Sequence, residues 1–306
     1  MKSFISLGKR IYNTKNPREM RRMAVFIARC WLHYKEMCHI ESFYQQNALF
    51  RKLEFVYPFV YEQPTRAFFY YRSTLQERIR LMEQHMTFLA EHLREEVVIG
   101  IYQGERYPLW EMDAGGEKLS CVLHYHPGQR KEGVLSLMLV LGERTLYQMM
   151  FWIMKNQDEA WSLYIGAMQG PNMNHAKEII KQITKKCHSY RTKNLIFFMT
   201  QAFARGLGIG HIYAVTNEGY YANNHVRRDR KLKTSFSDFW REVGGWETED
   251  PRFDELPIVE KRKSMDEIST HKRAVYRRRF ALLDEIDATL LGNLELLKCK
   301  TQKLED

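Results

Sequence analysis

The chain has 306 residues, and 47 lysines and arginines against 37 aspartates and glutamates give it a formal net charge of +10. Hydrophobic residues make up 44% of it, with only 8 prolines and 17 glycines, which excludes a disordered chain, a collagen-like fibre and a disulfide scaffold. The length is sufficient for one large or two small domains. The five cysteines are widely spaced, without a C-x-x-C pair, and favour a reducing compartment.

No segment of the sequence is predicted to cross a membrane or to direct secretion. The longest apolar run, residues 134–141, is far shorter than the ~20 residues that a bilayer core requires. The basic N-terminus contains one short apolar stretch at residues 23–28, which Arg29 interrupts, and no small-residue cleavage site follows it. We therefore expect a cytoplasmic protein, whose contact with a membrane would be peripheral and on the inner membrane.

The first region, residues 1–96, is predicted to be helical and basic. Between residues 17 and 37, apolar side chains recur every three or four positions, while arginines occupy the other face. A further helix is predicted to begin at a capping box, in which Ser73 and Gln76 satisfy backbone N–H groups reciprocally. Its apolar side continues as far as Leu93.

Residues 97–260 are predicted to form an α+β core domain. We expect a strand at residues 97–102, a turn at 113–116, and then an antiparallel meander with short hairpin turns, comprising residues 119–126, 133–141, 146–154 and 162–168. Two helices, at about 174–187 and 194–205, lead to a strand at 211–215, and this order requires a parallel crossover. The predicted fold is therefore a mostly antiparallel mixed sheet with packed helices.

The end of the chain is predicted to wrap around this core. Residues 227–257 are polar and are expected to form long loops around a short helix at 237–241. Residues 261–306 form the third region, a basic helix packed on the core. A second capping box, Ser264 and Glu267, is expected to open this helix, which should end near Gly292.

Two glycine-containing strings are candidates for anion binding. Residues 205–210 fit R/Q-x-x-G-x-G, the loop that holds the CoA pyrophosphate in acetyltransferases of the GNAT type, but a helix precedes the glycines here, so Gly206 and Gly208 are interpreted as a helix cap and a turn. Residues 166–171 are better placed, because a predicted strand precedes them and a helix follows. Gln169 would supply a side-chain amide there. The alternative is an ordinary connection, since Pro171 has no N–H to donate.

The histidines do not show metal-binding spacing. His124 and His126 alternate on a predicted strand, His175 opens a helix, and His188 follows Cys187, without any C-x-x-C or H-E-x-x-H motif. We therefore predict no metal site. A histidine with an ordinary pKa near 6.5 is a candidate general base, and the alternative is a structural histidine. Motifs of serine hydrolases and P-loop enzymes are absent.

Basic residues concentrate near both ends of the chain. The cluster at the N-terminal end includes Arg18, Arg21 and Arg22, and the cluster near the C-terminal end includes Lys272, Arg273, Arg277, Arg278 and Arg279. Such helices attract anionic membrane surfaces. The alternative is a solvated face whose charges pair within the chain. We expect no nucleic-acid partner, because no RRM, helix-turn-helix or zinc-finger pattern is present.

The second half of the sequence resembles the VirK/YbjX family of bacterial proteins. The resemblance lies in blocks that keep their order between residue 119 and about residue 286, namely residues 165–171, residues 183–186 with His188, Arg191 and Lys193, and residues 206–209, 237–240, 244–245, 256–257 and 272–279. Ser189 and Thr192 depart from the glycine and proline usual at those places in the family. The resemblance implies a Gram-negative protein of virulence, stress or resistance to cationic antimicrobial peptides, acting at or near the inner membrane.

The first functional hypothesis is a GNAT-like acyltransferase core that uses acyl-CoA or an acyl carrier and modifies an envelope or protein amine or hydroxyl. In it the donor's phosphates would be held by Gln169, Gly170, Asn172, Lys185 and Lys193. The base would be His124 or His188, and Tyr125 is a candidate acid. The competing hypothesis is a non-catalytic peripheral or scaffold protein, whose terminal basic helices dock on the inner leaflet while the core binds a protein partner or a lipid.

Overall fold

The computed structural model describes residues 3–224 and 235–299. The first region is helical, as predicted, and contains α1 (Phe4–Ile11), α2 (Pro17–Leu32), α3 (Tyr34–Gln45), α4 (Ala48–Val56), α5 (Phe59–Glu62) and α6 (Leu75–His92). A further helix, α7 (Glu95–Gln103), crosses the predicted end of this region at residue 96. The predicted helix at residues 17–37 is interrupted at His33, which lies between α2 and α3. The capping box lies one residue later than predicted, because Thr74 accepts from the backbone N–H of Glu77 and the Glu77 carboxylate accepts from that of Thr74.

The prediction of a strand at residues 97–102 is wrong, since these residues form most of α7. Val97, Val98, Ile101 and Tyr102 are all buried, so the segment is apolar around most of its circumference. A short run of this kind has no periodicity that separates a buried helix from a buried strand. The helix ends at Gly104, whose φ of 96° is a conformation that glycine adopts at little cost.

An eight-stranded sheet forms the centre of the described structure and confirms the α+β prediction. Its strands are β1 (Tyr107–Asp113), β2 (Lys118–His124), β3 (Leu135–Leu141), β4 (Arg144–Lys155), β5 (Trp161–Gln169), β6 (His211–Val215), β7 (Trp246–Glu247) and β8 (Phe253–Leu256). The strand order is β1-β2-β3-β4-β5-β6-β8-β7, and every pairing is antiparallel except that of β5 with β6. The predicted meander and crossover are both confirmed, whereas β1, β7 and β8 were not predicted.

The remaining helices pack around this sheet. The parallel crossover contains α8 (Ala176–Lys186) and α9 (Thr192–Gly206), and α10 (Phe236–Glu242) and α11 (Thr270–Glu295) follow. α9 packs on β3 and β4, while α11 packs on α9 and β1. The predicted bounds of α11 are wrong: Ser264 does donate its backbone N–H to the Glu267 carboxylate, but this pair closes a turn, and the helix begins after Ser269. Gly292 lies within the helix.

The helical region and the sheet share one cluster of buried apolar side chains. α6 also completes the hydrogen bonding of β4 beyond the point where β3 pairs with it. His85 Nδ1 accepts from the backbone N–H of Ile153 at 3.1 Å, and Gln84 Oε1 accepts from that of Lys155 at 3.0 Å. Because an unpaired buried N–H is costly, these two side chains hold α6 in place along the strand.

Candidate functional site

The sheet opens at the carboxyl end of its parallel strand pair. β5 pairs with β6 only from Ser162 to Ile165, although β5 continues to Gln169. On its other side β5 pairs with β4 through a bulge at Gly166. A Cβ on Gly166 would lie 1.9 Å from the backbone oxygen of Glu132, so only glycine lets the chain pass this closely. A bulge bends its strand, and ligands of open sheets bind where neighbouring strands diverge.

A cleft of about 800 Å³ lies at this opening. Its walls are mainly apolar and aromatic, and they come from β4, β5, α10 and the turn around Tyr220, with Tyr147, Met150, Ala167, Met168, Phe236 and Phe239. The loop after β5, including Gly170 and Asn172, forms its rim. We call this space the larger cleft.

Charged groups in the larger cleft are mostly paired. Lys193 donates to Glu242 at 2.9 Å and lies 4.6 Å from the centre of the Phe239 ring, and burial lowers its pKa. Arg191 also pairs with Glu242, so two cations share one carboxylate. Glu132 accepts from the Tyr220 hydroxyl at 2.5 Å, and burial raises the pKa of its carboxyl.

A second cleft, of about 410 Å³, lies on the other side of Gln169. Gln169, Gly170 and Asn172 line both spaces, so this segment is the wall between them. The smaller cleft is cationic and polar, and its walls contain Arg106, His124, His126, Gln129, Arg144, Thr145 and Gln148. No carboxylate is among its described lining residues.

Gln169 is held in one orientation by a chain of side-chain hydrogen bonds. Gln129 Nε2 donates to Gln169 Oε1 at 3.0 Å and to Gln148 Oε1 at 2.6 Å. Gln148 Nε2 donates to the Ser136 hydroxyl at 2.8 Å, which donates to the backbone oxygen of His124 at 2.8 Å. With its oxygen held in this way, Gln169 presents its amide N–H groups, a donor that is positioned before any ligand binds.

His124 has a defined tautomer in the smaller cleft. Its Nδ1 lies 3.1 Å from the backbone oxygen of Glu105, an acceptor, so Nδ1 carries the proton and Nε2 is the unprotonated nitrogen. Burial lowers the pKa of this imidazole, which therefore stays neutral at pH 7. His126 accepts the backbone N–H of Gly128 at Nδ1 and lies outside the strand that was predicted to contain it. The imidazole of His124 is suited to accept a proton.

Three other predicted site residues lie outside the residues that line these two clefts. The Tyr125 hydroxyl is 2.8 Å from that of Tyr57, in a buried cluster that joins the sheet to the helical region, and burial raises the pKa of Tyr125. Lys185 is exposed on the last turn of α8. His188 follows in the turn between α8 and α9, where its φ of 52° and that of Ser189, 62°, are left-handed. Lys185 and His188 are close to Lys193 in the sequence, but they do not line its cleft.

The predicted basic residues fall into two structural classes. Arg18, Arg21 and Arg22 are exposed on α2. On α11, Lys272, Arg277 and Arg278 are exposed, whereas Arg279 donates to the backbone oxygens of His188 and Ser189 and lies 4.2 Å from the Tyr276 ring centre. Arg273 donates to the backbone oxygen of Ile268. Arg279 thus has a structural role.

The alternative glycine string serves to end a helix. Gly206 is the last residue of α9 and packs against Leu291 and Leu294 of α11, while Gly208 has a φ of 73°. Arg205 donates to the backbone oxygen of Ile258 at 2.8 Å and pairs with Asp287. The interpretation of this string as a helix end followed by a turn is confirmed, but the cap residue is Leu207 and not Gly206.

Sequence reasoning missed most of the residues around Gln169. Arg106 precedes β1, Gln129 lies in the turn after β2, and Arg144 and Gln148 lie on β4. The register Gln148↔Gln169 brings the last of these beside β5. None belongs to a motif, and the sequence gives a signal only for Gln148, a polar residue at a buried position of an otherwise apolar strand.

Two kinds of site are not found in the described part of the chain. Within residues 3–224 and 235–299, no three His, Cys, Asp or Glu side chains are grouped so as to hold a metal ion. Over the same residues, none of the helices combines the length and the hydropathy needed to traverse a bilayer.

Comparison with known proteins places the chain among bacterial relatives. It is 35% identical over 127 residues to the protein YbjX of Escherichia coli K12, which is 41% of this chain and 38% of YbjX. A protein of Haemophilus influenzae is 30% identical over 135 residues, 44% of each chain. The alignments with these two proteins therefore span less than half of their lengths. The protein named membrane protein LapB of Mannheimia haemolytica is 28% identical over 185 residues, 59% of this chain and 76% of LapB.

No solved structure matches the chain at a significant level. The family described as "Protein of unknown function (DUF535)" matches residues 15–291, which is most of the chain. The resemblance to VirK and YbjX is confirmed by this match, because both belong to that family. The chain is therefore a member of the DUF535 family.

Proposed function

We propose that this protein is a GNAT-like acyltransferase, with its acyl donor in the larger cleft and its acceptor in the smaller one. The observation that carries the proposal is the position of Gln169. It stands at the end of a strand that diverges from its parallel neighbour, it lines both clefts, and Gln129 holds its oxygen so that its amide N–H groups are available. Acyl transfer needs such a donor where negative charge develops on the carbonyl oxygen.

The larger cleft suits an acyl chain on a phosphorylated carrier, either CoA or an acyl carrier protein. Met150, Ala167 and Phe239 offer apolar contact for the chain. The rim at Gly170 and Asn172 leads into α8, whose first N–H groups receive no side-chain cap from His175. Backbone N–H groups at a helix start favour phosphates, and the ammonium of Lys193 adds a positive charge. The donor would supply an activated thioester.

Two side chains of this protein would then handle the proton that the acceptor loses and the negative charge that develops on the carbonyl oxygen. The amine or hydroxyl of the acceptor forms the new bond to the acyl carbon while the bond from that carbon to sulfur breaks. Nε2 of His124 takes the proton that the acceptor loses and returns it to the departing sulfur. Gln169 donates to the carbonyl oxygen during the transfer. The buried Oε1 of Gln129, which has no partner in the described structure, supports a ligand here, since buried polar atoms are normally hydrogen-bonded.

The smaller cleft favours an acceptor with an anionic group beside its amine or hydroxyl. Arg106 and Arg144 line it, and their ion pairs are with Glu143 and Glu117, which do not. We further propose that this acceptor belongs to the bacterial envelope, and that its modification supports virulence, the response to envelope stress and resistance to antimicrobial peptides. The relative of Mannheimia haemolytica is named a membrane protein, LapB, and this name supports an envelope setting.

A thermal-shift titration with CoA, acetyl-CoA and palmitoyl-CoA, at low and high salt, tests donor binding. At a ligand concentration of roughly 100 Kd the free energy of unfolding rises by about 2.7 kcal/mol, which raises the Tm by about 5 °C. We expect a saturable shift that persists in high salt with at least one of the acyl-CoA compounds. It should be lost in Gln169→Ala.

Two lysine variants provide a matched comparison. Lys193→Gln removes an ammonium group from the larger cleft, whereas Lys185→Gln removes one from the exposed end of α8. We expect the first to reduce the shift by at least half and the second to leave it unchanged. Equal loss in both variants, or a shift that disappears in high salt for every compound, would contradict a donor site at this cleft.

A further inference from the structure

The exposed apolar side chains of this protein are concentrated on its first three helices. Among the described residues, six of the ten large apolar side chains that are exposed to solvent lie between residues 5 and 34; they are Ile5, Met20, Val25, Trp31, Leu32 and Tyr34. Trp31 is 62% exposed and Leu32 is 78% exposed. Single exposed apolar residues are ordinary, but a group of this size on three helices that contact one another in sequence order marks an interaction surface.

The periodicity of α2 places its four exposed apolar residues, Met20, Val25, Trp31 and Leu32, on one side of the helix. At 3.6 residues per turn, Met20, Ala24, Ala28 and Trp31 fall within an arc of about 80° that faces away from the core. Leu32 and Val25 continue this arc around the helix. The opposite side carries Phe26 and Cys30, which are buried against the neighbouring helices.

Arginines lie along the edge of the apolar arc. Arg21 lies within its extension, and Arg18, Arg29 and Arg22 form the adjacent stripe, about 40° wide. Arg22 pairs with Glu19, whereas Arg18 and Arg21 form no ion pair with the residues that the structure describes. An apolar arc bordered by arginines is the pattern of a helix that lies in the interface of a membrane.

The aromatic residues at the end of α2 are held in place although they are exposed. The ring of Trp31 stacks on that of Tyr34, with centroids 5.9 Å apart, and meets the buried ring of Phe4 edge-on at 5.2 Å. Trp and Tyr side chains are enriched at the level of lipid headgroups, because an apolar ring and a polar N–H or O–H are both accommodated there.

We propose that the outer face of α2 docks on an anionic lipid bilayer. Met20, Trp31 and Leu32 enter the boundary between headgroups and acyl chains, while Arg18 and Arg21 contact lipid phosphates. A second copy of the chain fits this face less well, because a two-fold contact between identical faces would bring arginines of the two copies together. The surface is independent of the proposed acyl transfer and lies on a different part of the chain.

α11 does not have the same combination of groups. It carries exposed Lys272, Arg277 and Arg278, but none of the exposed large apolar side chains lies between Thr270 and Glu295. Its Arg279 is bound to the turn before α9. This helix therefore offers charge without apolar contact, and we assign the docking to α2 alone.

The test is co-flotation of the full chain with vesicles of phosphatidylethanolamine and phosphatidylglycerol at 3:1, and with phosphatidylcholine vesicles. Each basic residue near an anionic surface contributes about fivefold to partitioning, so Arg18→Gln with Arg21→Gln should lower the partition coefficient roughly 30-fold. Trp31→Ser with Leu32→Ser should also abolish most of the binding. The matched control, Arg277→Gln with Arg278→Gln, should change it less than threefold. Far-UV circular dichroism and the Tm check that each variant is folded.

Several results would overturn the proposal. One is a failure of the wild-type chain to float with the anionic vesicles. Another is an equal loss in the α2 and α11 arginine pairs, which would indicate attraction by net charge alone. A third is a dimer in analytical ultracentrifugation that Trp31→Ser with Leu32→Ser converts to a monomer, which would assign the face to a second copy.

Discussion

The buried imidazole of His85 predicts how the stability of the fold depends on pH. Its Nδ1 accepts from the backbone N–H of Ile153, so Nε2 carries the proton and donates to the Tyr102 hydroxyl at 3.1 Å, which donates to the backbone oxygen of Val134. A second proton has no place in this arrangement, and burial lowers the pKa of His85 from 6.5 to about 3.

The lowered pKa of His85 sets the direction in which the stability of the fold changes with pH. Below pH 6.5 His85 is protonated in the unfolded chain but stays neutral in the folded chain. The free energy of unfolding therefore falls as the pH falls toward 3. The slope approaches about 1.4 kcal/mol per pH unit, which gives a loss of about 2 kcal/mol from His85 between pH 7 and pH 5. Above pH 7 this residue contributes no pH dependence.

Urea unfolding of the wild type and of His85→Asn at pH 7 and pH 5 isolates the contribution of this one group. The asparagine oxygen preserves an acceptor for Ile153, but it does not titrate. We expect the variant to be less stable at pH 7, since it loses the contact with Tyr102 and leaves a small cavity. The difference between the two proteins should then shrink by about 2 kcal/mol at pH 5. A difference that is the same at both pH values would refute the assigned tautomer and burial.

Two further predictions concern the turn between α8 and α9. Ser189→Gly should raise the free energy of unfolding by about 0.5–1 kcal/mol, since a glycine relieves the strain of a φ of 62° at some cost in entropy, and an unchanged or lower stability in urea would contradict this. Arg279→Gln should lower it by about 1–2 kcal/mol, because the guanidinium donates to two backbone oxygens in this turn, while Arg277→Gln should stay within about 0.5 kcal/mol. Equal losses of stability in the two arginine variants would contradict a stabilising role for the hydrogen bonds from Arg279 to this turn.

Much of the fold could be predicted because local patterns and tertiary structure agree in it. The strand His211–Val215 was predicted with its observed bounds, and the hairpin turns of the meander lie where glycine and polar residues indicate them. The failures are physical in origin. Residues 97–102 are buried on most sides, so their apolar side chains show no periodicity that would distinguish a helix from a strand. The short strands β7 and β8 lie in a polar segment, and they form because β8 pairs with β6 and β7 pairs with β8, which the local sequence does not indicate.

The candidate site was predictable only in part. Gln169 stands out in the sequence because a strand precedes it and a helix follows, and the structure places it at the opening of the sheet. The same wall is approached by three residues that are distant in the sequence, Arg106, Gln129 and Arg144. The pairing of the strands and a turn bring them there, and their spacing in the sequence does not indicate it. Lys185 does not line the cleft, although it lies only eight residues before Lys193, because a tight turn separates the helices that carry these two lysines.

The central claim is that an acyl donor binds at the wall formed by Gln169. A crystal structure with S-hexadecyl-CoA, a thioether that cannot transfer its chain, tests it most directly. The account predicts the alkyl chain in the larger cleft against Met150 and Phe239, the sulfur beside Gln169, and the phosphates at Gly170 and Asn172. Density for this compound elsewhere on the protein, or an empty cleft at saturating ligand, would contradict it.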